Sequence, residues 1–264
     1  MKYAIYQMEV VAGNPEANRQ QVEEWVKRVV KQEQPDTILL PEMWNTGYAL
    51  SELANIADQD GEPTRSFLRE LAKTYNINIV GGSIGNKKDD KFYNTSLVFD
   101  RNGELVYHYD KIHLVPMLNE HQYLTGGQKK VHTFELDHVK MGLIICYDLR
   151  FPELARQLAL EDAQVLHIVA EWPIARKDHW KNLQLARAIE NQFFVISSNT
   201  VGTYNGTEYA GESMVIDPWG TPIATGSVRN TETITATLDL SIVPKVRKDV
   251  PIFSSRVPEM YDLS

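Results

Sequence analysis

The sequence holds a single cysteine, Cys146, among its 264 residues. One cysteine cannot form an internal disulfide, and it gives neither a CxxC pair nor the mixed Cys/His spacing typical of a metal site. This cysteine usage is typical of proteins in reducing compartments, so a cytoplasmic location is expected.

An excess of positive charge is also absent. The chain has 27 Lys and Arg against 35 Asp and Glu, which gives a formal net charge of −8 at pH 7. Nucleic acids and anionic membranes are bound by basic surfaces, so neither is an expected partner.

Long apolar runs and flexible linkers are missing as well. The first residues, MKYAIYQMEV, contain too short an apolar run for a signal peptide, and no segment approaches membrane-spanning length. No Pro-, Gly- or Ser-rich linker divides the chain. With 43% hydrophobic and 23% charged residues, the composition is that of a globular protein, and we expect one domain over residues 1–264.

Apolar periodicities predict strands that alternate with helices in both halves of the chain. The predicted strands cover residues 2–10, 37–40, 78–81, 95–99, 104–109, 141–145, 164–170, 193–198, 212–217 and 233–238. Four helices are predicted. One begins at Asn14-Pro15, one covers residues 62–75, one begins at Pro152 and one covers residues 179–192. This alternation predicts an α/β architecture in which helices cover the sheets.

Two smaller features accompany this pattern. Arg187 and Glu190 share a face of the helix over residues 179–192 with Leu183, and charges there must pair, so we expect a structural ion pair. The tail over residues 243–264 shows no strong pattern and is a candidate to pack on a neighbouring subunit.

Cys146 lies where a predicted strand gives way to a helix. The run MGLII over residues 141–145 is short, apolar and β-branched, and Pro152 occupies a first helical position. An abrupt turn at the carboxyl end of a strand holds a side chain out of the sheet and directs the following amides towards a ligand. A lone cysteine is more often a small buried hydrophobe, but its polar neighbours Asp148 and Arg150 favour a functional position here.

Two other polar residues follow predicted strands. Glu42 comes just after residues 37–40, and Lys111 comes just after residues 104–109. Each alone would be an ordinary surface residue. Strand ends on one side of a sheet converge in space, so the acid, the amine and the thiol are expected to meet in one pocket. The polar loop over residues 117–127, which carries Glu120, is long enough to be functional.

Three segments in this order, LLPEMWNTGY, YHYDKIHL and IICYDLRFPEL, resemble the motifs of the carbon-nitrogen hydrolase (nitrilase) superfamily. The segments HWKNLQLARAIENQ and GESMVIDPWG extend the resemblance over nearly the whole chain. The resemblance implies that Glu42, Lys111 and Cys146 form a catalytic triad and that Glu120 is a second catalytic glutamate. It also implies a four-layer α-β-β-α sandwich, assembly as a homodimer or larger homo-oligomer, and no metal or organic cofactor.

The residue types suit the chemistry that the resemblance implies. A free thiol has a pKa of about 8.5 and is mostly protonated at neutral pH, so it needs a base to become a nucleophile. Glu42 is expected to act as that base, while Lys111 and the Tyr147 N–H stabilise the oxyanion on the way to a thioester. Glu120 is expected to position Lys111 or the amide. Histidines at positions 108, 113 and 121 lack a compact metal-ligand spacing and are expected to serve hydrogen bonds.

The substrate expected from the resemblance is a small carboxamide. The segments EMWNTGY, CYDLRFPE, EWPIARKDHW and ARAIENQ are together most similar to bacterial ω-amidases, which act on 2-oxoglutaramate and 2-oxosuccinamate. Nitrile hydrolysis is disfavoured because nitrilases usually carry Trp-Glu after the cysteine, where this chain has Tyr-Asp. Candidate substrate-binding residues are Tyr147, Trp172, Tyr48 and Arg176.

Two alternatives remain open from the sequence. One is an amidase or N-carbamoyl hydrolase for another small substrate, and the other is a non-catalytic interaction protein on the same scaffold, which the complete triad argues against. Glu171 bears on the choice, because close relatives often have a neutral residue before the Trp-Pro pair. A Glu171 carboxylate facing the pocket would disfavour an anionic substrate.

Overall fold

The computed structural model describes residues 1–261, in which two main β-sheets lie between helices. The strands are β1 (Lys2–Gln7), β2 (Thr37–Leu39), β3 (Asp58–Gln59), β4 (Asn78–Lys88), β5 (Lys91–Phe99), β6 (Leu105–Asp110), β7 (Phe134–Leu136), β8 (Val139–Ile145), β9 (Val165–Ala170), β10 (Phe194–Asn199), β11 (Thr203–Tyr204), β12 (Thr207–Glu208), β13 (Met214–Ile216), β14 (Pro222–Thr225) and β15 (Glu232–Thr237). The α-helices are α1 (Pro15–Glu33), α2 (Leu53–Ile56), α3 (Thr64–Tyr75), α4 (Pro152–Leu160), α5 (Lys177–Asn191) and α6 (Ile242–Asp249).

Each main sheet has a parallel centre. The first has the order β15-β1-β2-β4-β5-β6, with β3 paired to β4, and the second has the order β14-β13-β10-β9-β8-β7. In the first sheet β2 is parallel to β1 and to β4, and in the second sheet β9 is parallel to β8 and to β10. Neighbouring parallel strands end at the same edge, and these edges carry the residues that follow β2, β8 and β9.

The two sheets pack face to face, with helices on their outer sides. Successive residues of β1 alternate: Tyr3 and Ile5 join the core shared with the second sheet, whereas Ala4 and Tyr6 pack with α1 and α3. Helices α4 and α5 contact β8 and β10 of the second sheet. The four-layer α-β-β-α sandwich expected from the resemblance is therefore confirmed.

Local signals placed several elements correctly. The Asn14 side chain accepts a hydrogen bond from the Ala17 N–H at 3.1 Å and caps α1, as its position before Pro15 predicts. The predicted ion pair is confirmed, since Arg187 Nη1 lies 2.8 Å from Glu190 Oε1. The same arginine donates to the Leu149 carbonyl at 2.8 Å, which supports the turn after the cysteine.

Two expectations about element boundaries are wrong. Strand β4 does not end at residue 81 but continues to Lys88, because its polar residues find partners: Ser83 and Asn86 accept hydrogen bonds from the backbone of other segments. The tail is patterned over α6, where Val243 and Val246 are buried. Packing of the tail on a neighbouring subunit stays a prediction, and residues 262–264 lie outside the described part. No helix within residues 1–261 combines the length and apolarity needed to cross a bilayer.

A fully buried histidine, His167, lies between the two sheets. Its Nδ1 is 3.0 Å from the Gly142 carbonyl and its Nε2 is 3.1 Å from the Tyr3 hydroxyl. The carbonyl requires a donor, so Nδ1 carries the proton and Nε2 accepts from tyrosine. Burial lowers the pKa of His167 to about 4, although the bond to Gly142 opposes the shift. The imidazole is therefore neutral in the folded protein at neutral pH.

We expect His167 to reduce stability in mild acid. Unfolded histidine titrates near pH 6.5, so below that pH the unfolded chain gains a proton that the folded chain does not bind until about pH 4. The free energy of unfolding should lose about 2.5 kcal/mol from this group between about pH 7.5 and about pH 4.5. Urea unfolding of wild type and His167→Gln at both pH values measures this, because other groups cancel in the difference. A difference between the two proteins that does not change with pH would contradict it.

Candidate active site

Cys146 opens a 3₁₀ turn, Cys146–Arg150, directly after β8. Its φ of +47° lies in the left-handed region that residues with a side chain rarely adopt. This conformation turns the thiol out of the line of β8, and the turn leads into α4 at Pro152. The Tyr147 N–H lies in the first turn, where amides have no partner within the helix. Such strain persists where the surrounding structure holds it, as at active sites.

The buried carboxylate of Asp148 holds this turn in place. Its Oδ2 accepts hydrogen bonds from the Ile145 N–H at 3.1 Å and from the Tyr109 hydroxyl at 2.8 Å. Its Oδ1 accepts from the His113 N–H at 3.1 Å and lies 2.8 Å from His113 Nδ1. Asp148 thus connects the end of β8 to β6 and to the segment around Lys111.

We expect Asp148→Asn to destabilise the protein. One acceptor oxygen becomes an NH₂ donor that faces another donor, so at least one of the contacts turns repulsive. Loss of a hydrogen bond to a buried charged group costs about 1.5–3 kcal/mol, and the urea midpoint should fall accordingly. The exposed Asp178→Asn on α5 is the matched control. Equal urea midpoints for the two variants would show that the hydrogen bonds of Asp148 do not stabilise the protein.

Glu42 is placed by a close approach of two segments. It follows β2, and the Ser83 N–H of β4 donates to the Pro41 carbonyl at 3.0 Å. Gly82 makes the approach possible, because a Cβ at this position would collide with the Pro41 carbonyl and because its φ is +62°. The Met43 N–H then donates to the Ser83 hydroxyl at 2.9 Å, which fixes the backbone on both sides of Glu42.

Lys111 lies between two carboxylates. Its Nζ is 2.8 Å from Glu42 Oε1 and 2.8 Å from Glu120 Oε1, and all three side chains are buried. Burial would lower the pKa of Lys111, but the charges of Glu120 and Glu42 outweigh it and raise the pKa well above its ordinary value. The group is therefore an ammonium ion at neutral pH.

Further donors fix the two carboxylates. Glu42 Oε1 accepts from Asn94 Nδ2 at 2.8 Å, and Glu42 Oε2 accepts from the Glu171 N–H at 2.8 Å. Glu120 Oε2 accepts from the Val115 N–H at 2.8 Å. The Tyr48 hydroxyl donates to Glu120 Oε1 at 2.6 Å and lies 3.1 Å from Glu42 Oε1.

The environment keeps the Cys146 thiol protonated in the resting protein. Burial raises its pKa well above the ordinary value, and the negative charge of Glu42 adds to the shift, while Lys111 opposes it. Acid, amine and thiol therefore meet in one buried cluster, as the positions of Glu42, Lys111 and Cys146 after strand ends predict.

Cys146 lines a small cavity of about 20 Å³. Three of the four candidate binding residues line it, and the fourth, Tyr48, lines a neighbouring cavity that shares Leu118. The residues around the thiol are Val115, Met117, Leu118, Tyr147, Arg150, Glu171, Trp172, Pro173 and Arg176. The space beside Cys146 is therefore small, and the neighbouring cavity of about 240 Å³ provides the larger space.

Several residues of the site were not among the sequence candidates. Arg150 lies 4.8 Å above the Trp172 ring and lines the cavity, and its place four residues after the cysteine is a signal that could have revealed it. Asn94, which holds Glu42, and Tyr209, which lines the neighbouring cavity with Tyr48, gave no signal, because the residues they meet are distant in the chain. Within residues 1–261 no group of three or more His, Cys, Asp or Glu is arranged to hold a metal ion.

Comparisons with known proteins agree with this geometry. The family model for carbon-nitrogen hydrolases matches residues 2–248. A Bacillus subtilis protein named 2-oxoglutaramate amidase is 40% identical over 263 residues, which cover 99% of this chain and 100% of the relative. A Staphylococcus aureus protein named hydrolase in agr operon is 40% identical over 262 residues, with 99% and 100% coverage.

The fold also matches solved structures. The crystal structure of Saccharomyces cerevisiae Nit3, described as a member of branch 10 of the nitrilase superfamily, superposes with a TM-score of 0.88 at 30% identity. The match covers 96% of this chain and 94% of Nit3.

Proposed function

The chain belongs to the carbon-nitrogen hydrolase family, and on that basis we propose that it is a cysteine-dependent ω-amidase that deamidates 2-oxoglutaramate and 2-oxosuccinamate. The observation that carries the proposal is the buried cluster in which Lys111 Nζ bonds Glu42 at 2.8 Å beside the Cys146 thiol. The full-length similarity to a protein named 2-oxoglutaramate amidase supports the substrate class.

Acylation requires a base, because the resting thiol is protonated. Glu42 takes the thiol proton as Sγ attacks the amide carbon, and the carbonyl becomes an oxyanion. Lys111 and the Tyr147 N–H stabilise that charge, and one such donor is typically worth about 10²–10³ in turnover. Glu42 then passes the proton to the amide nitrogen, the C–N bond breaks, ammonia leaves and a thioester remains.

Deacylation uses the same groups. Glu42 removes a proton from water, the resulting hydroxide attacks the thioester carbon, and the oxyanion forms again beside Lys111. The C–S bond breaks, and Glu42 returns the proton to the thiolate, which releases the acid. Glu120 keeps Lys111 in place throughout, because it holds the second side of the ammonium ion at 2.8 Å.

Two arginines suit the carboxylate of such a substrate. Arg150 and Arg176 line the cavity with the thiol, in a chain whose net charge of −8 otherwise disfavours anions. Arg150 is held by the Trp172 ring and by His179 Nδ1 at 3.3 Å. A guanidinium ion pairs with a carboxylate through charge-assisted hydrogen bonds, so the pocket binds the end of the substrate opposite the amide. Tyr147 and Trp172 form its walls.

We expect Arg150→Met to reduce selectivity for the charged substrate. The ratio of kcat/KM for 2-oxoglutaramate to that for pentanamide should fall about tenfold to a hundredfold, because a hydrogen bond to a charged group is lost. Arg69→Met, an exposed residue of α3, removes the same charge from the outer helix layer and is the control. An unchanged ratio in Arg150→Met would count against this carboxylate site.

The experiment that tests the function is ammonia release from a panel of amides. It contains 2-oxoglutaramate, 2-oxosuccinamate, glutamine, asparagine and simple aliphatic amides. Activity on the two 2-oxo acids well above that on the others is expected. Activity that favours another amide would remove the ω-amidase assignment, and a complete lack of ammonia release would direct attention to carbamoyl substrates. The single domain, the oligomeric state and the cytoplasmic location stay predictions.

A further inference from the structure

Glu171 is a buried carboxyl group beside the thiol with an unused hydrogen-bonding atom. It directly follows β9, and its N–H donates to Glu42 Oε2 at 2.8 Å. Its side chain is 1% exposed and lines the same cavity as Cys146. Among the residues that the structure describes, none forms a hydrogen bond with Oε1 of this carboxyl. The mechanism above uses only the backbone of Glu171.

The charges of the cluster indicate that this carboxyl is neutral. Lys111 already compensates two carboxylates, those of Glu42 and Glu120, at 2.8 Å each. Arg150 and Arg176 line the same cavity, but Glu171 forms no ion pair with a described residue. As a third buried carboxylate it would carry an uncompensated charge, which is costly for a residue that is 1% exposed. Burial, and then repulsion from Glu42, raises the pKa of Glu171 well above its ordinary value, which agrees with the charge count.

A neutral carboxyl group has one O–H that donates a hydrogen bond, and its oxygens can also accept hydrogen bonds. The interaction with Tyr209 lowers the pKa of the Glu171 carboxyl, against the larger effect of burial. Oε1 of Glu171 therefore stays available for a hydrogen bond, and Glu171 lines the cavity that also holds Cys146.

We propose that Glu171 donates a hydrogen bond from its carboxyl to an oxygen of the substrate's acyl chain, and so selects amides that carry a 2-oxo or carboxylate oxygen. The inference rests on the proposed amidase function and names a specificity-determining residue for it. It also reverses the expectation from sequence that an acid at this position disfavours an anionic substrate, because a protonated acid does not repel an anion. A buried carboxylic acid kept neutral as a donor has a precedent in ketosteroid isomerase.

The test compares three five-carbon amides: 2-oxoglutaramate, glutaramate without the 2-oxo group, and pentanamide with neither oxygen. The variants are Glu171→Gln, which keeps a neutral donor, and Glu171→Met, which removes it. In Glu171→Met the ratio of kcat/KM for 2-oxoglutaramate to that for pentanamide should fall about tenfold to a hundredfold, while Glu171→Gln keeps it within about fivefold. This ratio does not depend on the folded fraction, and Glu171→Ala serves if the methionine variant does not fold.

Each outcome of the comparison decides the proposal. The ratio of kcat/KM for glutaramate to that for pentanamide locates the contact. If this ratio falls equally in Glu171→Met, the contact is to the carboxylate; if it does not fall, the contact is to the 2-oxo oxygen. If kcat/KM for the two anionic amides, relative to pentanamide, rises about tenfold or more in Glu171→Gln, wild-type Glu171 is ionised and repels them. That result overturns the proposal. An unchanged ratio in Glu171→Met overturns it as well.

Failure of the proposed function gives a different result. Wild type would then release no ammonia from any of the three amides, and the inference would be tested by binding. Calorimetric titration of Cys146→Ala and of Cys146→Ala/Glu171→Met with 2-oxoglutarate, the expected product, measures the contact without turnover. A Kd that is about tenfold or more weaker in the double variant supports the donor role. Equal Kd values overturn it.

Discussion

Cys146→Ala is expected to reduce ammonia release from 2-oxoglutaramate by more than about 10⁴-fold, the order of loss seen when a covalent nucleophile is removed. The reason is that no other atom in the cluster can form the acyl intermediate, since this is the only thiol of the chain. Glu42 and Lys111 would remain in place, but a base and an oxyanion donor alone hydrolyse an amide slowly. Ammonia release at a high enzyme concentration, with substrate still in excess, measures the remaining rate.

The controls for this variant use the single cysteine. One alkylation with iodoacetamide, seen as a single mass increase in wild type and none in Cys146→Ala, should inactivate the wild-type enzyme in proportion to labelling. Unfolding in urea should change little, because only one sulfur atom is removed. Residual activity above about a hundredth of wild type would show that hydrolysis does not pass through the thiol. Failure of Cys146 to form a covalent adduct with any electrophilic substrate analogue would instead restore the interpretation of a non-catalytic protein on this scaffold.

Lys111→Met is expected to damage both activity and stability. The oxyanion loses its charged donor, so kcat/KM should fall about 10²–10³-fold. Glu42 and Glu120 also lose the ammonium ion between them, and breaking a buried pair by removing one partner typically costs about 3–5 kcal/mol. Urea unfolding and ammonia release on the same preparations measure the two effects. Lys88→Met breaks the more exposed pair with Asp110 and should cost less than about 1 kcal/mol.

A double variant separates the two roles of Lys111. In Lys111→Met/Glu120→Gln one of the two uncompensated carboxylates becomes neutral, so part of the lost stability should return while activity remains absent. Recovery of both would indicate that Lys111 acts only by holding the fold. Stability equal to wild type in the single variant would contradict the ion-pair cluster itself.

Much of the fold was predictable because its signals are local. The cap at Asn14 and the strand before Cys146 depend on residues within a few positions of one another, and the structure confirms both of them. The length of β4 was not predictable in this way. Its polar residues are tolerated in a buried strand only because distant segments supply their hydrogen bonds.

The residues of the site also fall into two groups, those that local sequence predicts and those that only tertiary contacts bring in. The chain alone determined that an acid, an amine and a thiol follow strand ends, at Glu42, Lys111 and Cys146, because that placement follows from short apolar runs and spaced motifs. Only the tertiary structure decided that Asp148 fixes the turn and that Asn94 holds Glu42, since these partners lie 35 to 52 residues apart.

Glu171 shows the difference most clearly. Its acidity was evident from the sequence, and an ordinary exposed glutamate would be charged and would repel an anion. In the folded chain β2, β6 and β9 end at one place, so Glu171 is buried beside Glu42. Lys111 already pairs there with two other carboxylates, Glu42 and Glu120. Protonation depends on the surrounding solvent and charges, and these are properties of the folded arrangement rather than of the residue type.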